Sequence, residues 1–304
     1  MGGRGCARAG RAVSSPCPFL AASGAQHIRS VGEILRPQSA KMSIPRHRPH
    51  QRVRLFADAA SVWRYVHART VARVLPRLRR RVPDRSDECR RFLQRVVQSR
   101  PQFSILQIGA FDGVSNDPVH DLIRTFPHVR AVLLEPQPAP YAALQRLWHD
   151  DPRVAPIQAA LAADCGGRPL YVVAESHSHL HPFAGQVASF SRAHVETACR
   201  RYMWRPSADA IASVAVTTVD WRTLVDRYGR FDLVVIDAEG FDGEIVHLID
   251  LAEHPPDIIV YEHCHLTRRM RRRCSSRLRR AGYVVRQFNK TDTLAARRHL
   301  GIPS

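Results

Sequence analysis

The sequence predicts an α/β protein built on a doubly wound, mostly parallel sheet. Three observations predict it. Short apolar runs of strand length alternate with segments of helical period from residue 104 onward. The first run, Ile105, Leu106 and Ile108, breaks at the glycine turn Gly109 to Gly113 and leads into a helix. Later runs end on carboxylates: Glu135, Asp237 and Glu262. Strands and helices in strict alternation cover both faces of a sheet, which is the doubly wound arrangement.

The elements follow in order. Residues 1–54 are rich in Arg, Gly, Ser and Pro, poor in acids and without apolar period, so they read as a disordered leader. An organelle-targeting peptide is the competing reading, and Met42 offers a possible later start. Residues 55–100 form a helical extension. Val62, Val66, Val71, Val74, Leu75 and Leu78 give one apolar side until Pro76 interrupts it. A second helix starts at Ser86 as N-cap, with Cys89, Phe92, Leu93, Val96 and Val97 as the stripe that covers the sheet.

The domain proper spans 101–304. Its strands are expected from Ser104, at 130–134, 154–158, 169–173, 214–218, 231–236, 258–261 and 283–288. Helices fall between them, at Val119 to Phe126, Tyr141 to Trp148, 220–228, 241–251 and 266–280. Residues 174–213 lack a strong period and read as an insertion over the sheet edge.

The chain of 304 residues carries 46 basic against 27 acidic residues, a formal net charge of +19. Residues 1–100 hold 22 of the basic and 5 of the acidic ones, leaving a nearly balanced 24 against 22 downstream. A catalytic face that grips nucleic acid is therefore not expected, and no stable nucleic-acid partner, although the leader could touch RNA or acidic lipid. The seven cysteines form no C-x-x-C pair, which suits a reducing, cytoplasmic setting over a disulfide framework or zinc site. No apolar run approaches the roughly 20 residues that span a bilayer, so a soluble protein is expected.

In a doubly wound sheet, ligands bind beyond the carboxyl ends of the strands, where the strand order reverses. Glycines at 109 and 113 let the backbone approach a ligand there. Glu135, past the second strand, is placed to take both hydroxyls of a ribose, and Ala160-Leu161, past the third, to bed a flat base. A dinucleotide fold would want G-x-G-x-x-G to cradle a pyrophosphate, whereas this turn reads G-A-F-D-G. Carboxylates around the site suit a cationic sulfonium better than a dianion. The ligand expected is S-adenosylmethionine.

These motifs resemble the FkbM-type methyltransferases of the Rossmann-like, class I methyltransferase fold. The resemblance runs from about 101 to 290 on Q-I-G-A-F-D-G followed by N-D-P, L-L-E-P, T-T-V-D at 217–220, I-D-A-E-G-F-D-G-E at 236–244 and Y-E-H at 261–263. It implies that Gln107, Gly109, Ala110, Asp112 and Gly113 line the methionine and ribose part, that Glu135 holds the ribose, and that Asp237 sits beside the transferring methyl. Gln107 stands where the family usually has Asp, and Phe111 where it often has Asn. The reaction implied is in-line displacement at the methyl carbon, which needs alignment and a base for a hydroxyl acceptor. Asp237, Glu239 and His263 are the candidates, with Asp237 for orientation and His263 as base. Glu239 is as readily a helix cap.

His177, His179 and His181 would share a face on a strand, as metal ligands do, but in a polar insertion they read as a loop over the substrate, and no metal is expected. The Arg-rich stretch 268–280 reads as a solvated face that could meet a phosphorylated acceptor. The acceptor expected is a hydroxyl on a small molecule, sugar or glycan. Alternatives are an RNA methyltransferase anchored by the leader, an NAD-dependent oxidoreductase, or a binding module without turnover.

Overall fold

A computed structural model of the chain describes residues 84–302, apart from 116, 181–183, 203–206 and 208. The expectations for 1–54 and 57–80 lie outside the described residues.

Helix α1 (Ser86–Gln98) buries the stripe read from the sequence, Cys89, Phe92, Leu93, Val96 and Val97. Its start differs from expectation. Ser86 is already helical, and the Asp84 carboxylate caps it by accepting from the Ser86 amide (3.0 Å) and hydroxyl (2.7 Å). The chain then alternates through β1 (Phe103–Ile108), α2 (Pro118–Thr125), β2 (Val129–Leu134), α3 (Pro138–Trp148) and β3 (Val154–Ile157). β1, β2 and β3 pair in parallel. Asp117 caps α2, with Pro118 behind it as the first helical residue.

The next strands depart from the expected sheet. β4 (Ala160–Leu161), β5 (Gly166–Val173), β6 (Ala188–Ser189) and β7 (Ile211–Val219) form a separate four-stranded sheet in the order β4-β7-β5-β6. β5 and β7 pair antiparallel from Gly166↔Thr218 to Val173↔Ile211, so the runs at 169–173 and 214–218 are two arms of one ribbon. The sequence misled because a local alternation of apolar residues says nothing about which sheet a strand joins. Between the arms lies helix α4 (Arg192–Tyr202), with its own small core of Val173, Ala184, Val187, Val195, Ala198 and Cys199.

After α5 (Trp221–Tyr228) the chain returns to the first sheet as β8 (Leu233–Ile236) beside β1. Then come α6 (Asp242–Leu248), β9 (Ile258–Glu262), α7 (Arg268–Arg280), β10 (Tyr283–Gln287) and β11 (Asp292–Arg297). The sheet has seven strands in the order β10-β11-β9-β8-β1-β2-β3. β11 is antiparallel to both neighbours, inserted between β9 and β10 by a hairpin in which Asn289 Oδ1 accepts from the Thr291 and Asp292 amides. The central strands are buried on both faces, with Ile105, Leu133 and Leu233 on one side and Leu106, Leu134 and Val234 on the other. Such strands read as continuous apolar runs, which is why they were legible. Among the described residues no helix is long and apolar enough to cross a membrane.

Strand order reverses between β1 and β8, because the chain builds outward through β2 and β3 and then returns to the other side of β1. The crevice expected of such a sheet therefore opens above the ends of β1 and β8.

Candidate functional site

The site begins with register. Gln107 pairs with Leu133 and Val235, Ile236 with Tyr261, and Glu262 with Asp292. Carried just past the last rungs, the register puts Glu135, Gly109, Asp237, Glu262 and Asp292 in one row across β2, β1, β8, β9 and β11. Adjacent strands lie about 4.8 Å apart, so the backbones at Glu135 and Asp237 are roughly 10 Å apart with Gly109 between them.

Gly109 has φ +83°, and a Cβ there would overlap the carbonyl oxygen of Asp237. Its glycine requirement comes from the neighbouring strand's backbone, not from a ligand. Gly113 has φ +74°, and a Cβ there would sit 2.5 Å from Leu144 Cδ1 and 3.2 Å from Trp148 Nε1, so it lets the turn pack on α3. Ala110 is buried in the core. Asp112 serves the turn itself, accepting from the Val114 and Ser115 amides and the Ser115 hydroxyl. Partial burial pushes its carboxyl up, but these bonds outweigh that and hold it below the usual range.

Glu135 is the buried acid of the row. Its two oxygens accept from the Phe111 amide (2.9 Å) and the Gln137 amide (2.8 Å), and the Gln137 side chain adds a further hydrogen bond. Phe111 presents its amide from a left-handed conformation, φ 47°. Burial pushes the Glu135 carboxyl up to about 7, only partly opposed by those amides. Gln107 is buried on β1; its Nε2 donates to Asp117, while Oε1 has no hydrogen-bond partner. Ala160 and Leu161 follow β3 as expected but are buried as β4, paired to Thr218 and Val219.

Asp237 is exposed to solvent although protein atoms crowd it on every side, so it lines a recess and not a convex surface. Its carboxyl is raised well above the usual range, first by that enclosure and then by Glu239, Asp242 and Asp292. Asp242 caps the turn ahead of α6, accepting from the Ala238 and Gly240 amides, and burial pushes it up to about 7. The expected helix at 241–251 is shorter, and its N-cap position, Phe241, makes no side-chain cap bond. Glu239 is released from capping. Held at φ 45°, it turns its carboxylate to His194 Nε2 (3.8 Å) and His265 Nε2 (3.7 Å).

His263 does not join them. It is buried, its Nδ1 lies 3.0 Å from Thr293 Oγ1 on β11, and burial together with Arg271 pushes its imidazole down to about 4. The histidine that reaches the rim is His265, whose Nε2 is 3.3 Å from Glu262 Oε2. Its ring meets His194 of α4 edge-on at 5.0 Å. Phe190 meets Phe241 in the same manner at 5.2 Å, so the excursion between β5 and β7 covers the turn that carries Glu239. His177 and His179 sit on a 3-10 turn, where no strand aligns them, and His181 lies outside the described residues. His194, Asp242 and His265 were missed. Asp242 lay within the quoted I-D-A-E-G-F-D-G-E, and the signal for His265 was the density of Glu, His and Cys in E-H-C-H at 262–265.

Carboxylates flanking a glycine at the switch point of a doubly wound sheet are the setting of a nucleoside-cofactor pocket in a Rossmann-like fold. The sequence model described as "Methyltransferase FkbM domain" matches residues 107–285. The chain belongs to that family and is an S-adenosylmethionine-dependent methyltransferase. This sets aside the dinucleotide-dependent oxidoreductase. Solved structures similar in fold include methyltransferase FkbM from Methylobacillus flagellatus, at 13% identity and TM-score 0.38 over 64% of this chain and 44% of that one. The O-methyltransferase from Bacillus cereus in complex with SAH gives 13% and 0.34 over 81% and 94%. The Methanococcus jannaschii fibrillarin pre-rRNA processing protein gives 10% and 0.35 over 65% and 67%. These likenesses concern the fold alone. A search of curated proteins returns no match.

The residues present fit the cofactor. Glu135 is a buried carboxylate acceptor at the end of β2, Gln107 Oε1 is a buried acceptor without a partner, and Asp237 lines an acid-rich recess that favours a cation.

Proposed function

We propose that this chain transfers the methyl group to a hydroxyl oxygen of a small molecule, sugar or glycan, in the recess above β1 and β8. The observation that carries the reading is Asp237: an enclosed yet solvent-facing carboxylate, raised in proton affinity, at the switch point. S-adenosylmethionine supplies an electrophilic methyl on a sulfonium. Glu135 takes the ribose hydroxyls, and Gln107 Oε1 accepts from the amino-acid end. Asp237 holds the acceptor hydroxyl toward the methyl and takes its proton. A carboxylate of raised proton affinity is a better base near neutral pH than an ordinary one.

Labelled-methyl transfer into a whole-cell extract, followed by mass spectrometry of the product, tests the reading. A methyl ether on a small hydroxyl compound is expected, and Asp237→Asn should lower kcat by about a hundredfold or more. Label recovered in RNA or on nitrogen would overturn it.

A further inference from the structure

We propose that Glu262, Cys264 and His265 form a three-residue binding site for a divalent transition-metal ion of the zinc type. The site lies at the carboxyl rim of the sheet.

The three residues leave β9 in one short turn. The turn is fixed from outside: the His263 amide donates to Thr291, the Leu266 amide to His263, and the Arg271 guanidinium to the carbonyls of Leu266 (2.9 Å) and Cys264 (3.0 Å). One donor atom each from Glu262, Cys264 and His265 comes within 4.8 Å of the others. The closest approaches are shorter: Cys264 Sγ to Glu262 Oε1 3.2 Å, and His265 Nε2 to Glu262 Oε2 3.3 Å. Glu239 Oε2 stands 3.7 Å from the same imidazole nitrogen. Around a tetrahedral ion with bonds of about 2.0–2.3 Å, ligand atoms are separated by roughly 3.3–3.8 Å. The His265–Glu262 pair already falls at that separation, and Cys264 Sγ, hydrogen-bonded to the other Glu262 oxygen, stands at a similar distance from that carboxylate.

Donor chemistry narrows the ion. A thiol, an imidazole and carboxylates suit a borderline ion such as zinc, while magnesium and calcium would leave the sulfur unused. A second observation points the same way. Glu262 Oε2 is shielded from solvent and makes no hydrogen bond, although His265 Nε2 lies 3.3 Å away. Buried polar atoms are almost always satisfied, so an unsatisfied carboxylate oxygen within the cluster calls for a group that the protein alone does not supply. A use for the ion in acidifying the acceptor hydroxyl rests on the methyl-transfer reading; the site itself does not.

The test uses the full chain after chelation and dialysis. Cobalt(II) is titrated in by absorbance and zinc(II) by calorimetry, with binding of S-adenosylhomocysteine measured on the same samples. The site predicts a single equivalent of metal and a sulfur-to-cobalt charge-transfer band. Cys264→Ser should abolish the band, and His265→Ala should weaken zinc by about tenfold or more. Both variants should retain S-adenosylhomocysteine, which certifies their fold. Cys264→Ser changes one atom, so it keeps the test valid should His265→Ala fail to fold. Absence of heat and of the band overturns the site, as does metal binding of equal affinity in both variants. S-adenosylhomocysteine bound without metal would sink the site and leave the methyltransferase standing; metal bound without S-adenosylhomocysteine would do the reverse.

Discussion

Replacing Glu135 by glutamine removes a buried charge while keeping the side chain's shape, and its effect on stability should change with pH. The Glu135 carboxyl is raised from 4.5 to about 7 by burial. Folding therefore favours its protonated form. The stability it contributes is complete below the unfolded value and is lost as pH rises through the folded one. At about 1.4 kcal/mol per unit, that difference amounts to about 3 kcal/mol across the window. The glutamine has no such dependence, but it keeps one acceptor oxygen for two amides. Either Phe111 or Gln137 then faces an NH₂ group, at a pH-independent cost of about 1–3 kcal/mol. The variant should be the less stable protein near pH 5 and should draw level with or overtake the wild type near pH 8. Urea unfolding of both proteins across that range measures it. A stability gap that stays constant with pH would refute the claim that a charge is buried at the end of β2. Affinity for S-adenosylhomocysteine should fall in the same variant by about tenfold or more, because an amide cannot accept from both ribose hydroxyls.

Other outcomes follow from the same geometry. Gly109→Ala should cost about 3 kcal/mol or more, since φ +83° is unfavourable for alanine and the new Cβ overlaps the Asp237 carbonyl; an unchanged melting temperature would contradict this. Asp237 has a raised carboxyl, so its base form appears only above that raised value. The acid limb of the rate against pH should lie above the ordinary carboxylate range and disappear in Asp237→Asn. Arg100→Met should cost about 2 kcal/mol, because Arg100 bridges Asp232 and Asp257 at 2.6 Å each, while cofactor affinity stays unchanged. Phe190→Ala removes the contact with Phe241 and should cost about 1 kcal/mol, read as faster hydrogen exchange in α4 with β1 and β2 unaffected.

What the sequence disclosed follows from what each element is made of. β1, β2, β8 and β9 are buried on both faces, and such strands have no choice but to be apolar throughout. β11 escaped notice because its core is Leu294-Ala295-Ala296 and small residues carry little strand preference. The row of strand-end acids was visible because register past the last rung is nearly a matter of counting. Roles within the row were not. Gly113 and Asp112 look like ligand residues in sequence, yet one packs on Leu144 and the other caps its own turn. His263 and His265 differ by two positions in the chain; which one is buried against Thr293 depends on β11 pairing with β9, a contact between distant segments. His194 could not be found at all, since its placement depends on a helix inside an aperiodic excursion.

The two ends of the sheet treat carboxylates in opposite ways, and that contrast says most about the site. At the amino end Asp232 and Asp257 are each held by arginine: Arg100 bridges both, and Arg230 pairs with Asp257. At the carboxyl end the charges acting most strongly on Asp237 and Glu262 are those of other carboxylates. The chain has arginine in abundance, and α7, directly after the rim turn, carries a dense run of it. Neutralising the rim would have needed little rearrangement. A fold that pairs its acids wherever they serve architecture, and leaves them crowded where the strand order reverses, is arranged for a positive charge that arrives from outside. A sulfonium above Asp237 and a metal ion at Glu262 would each meet that condition at separate points of the same row. If added zinc and S-adenosylhomocysteine are found to stabilise the protein independently, the two cation sites are distinct; if each abolishes the effect of the other, the row holds one cation at a time.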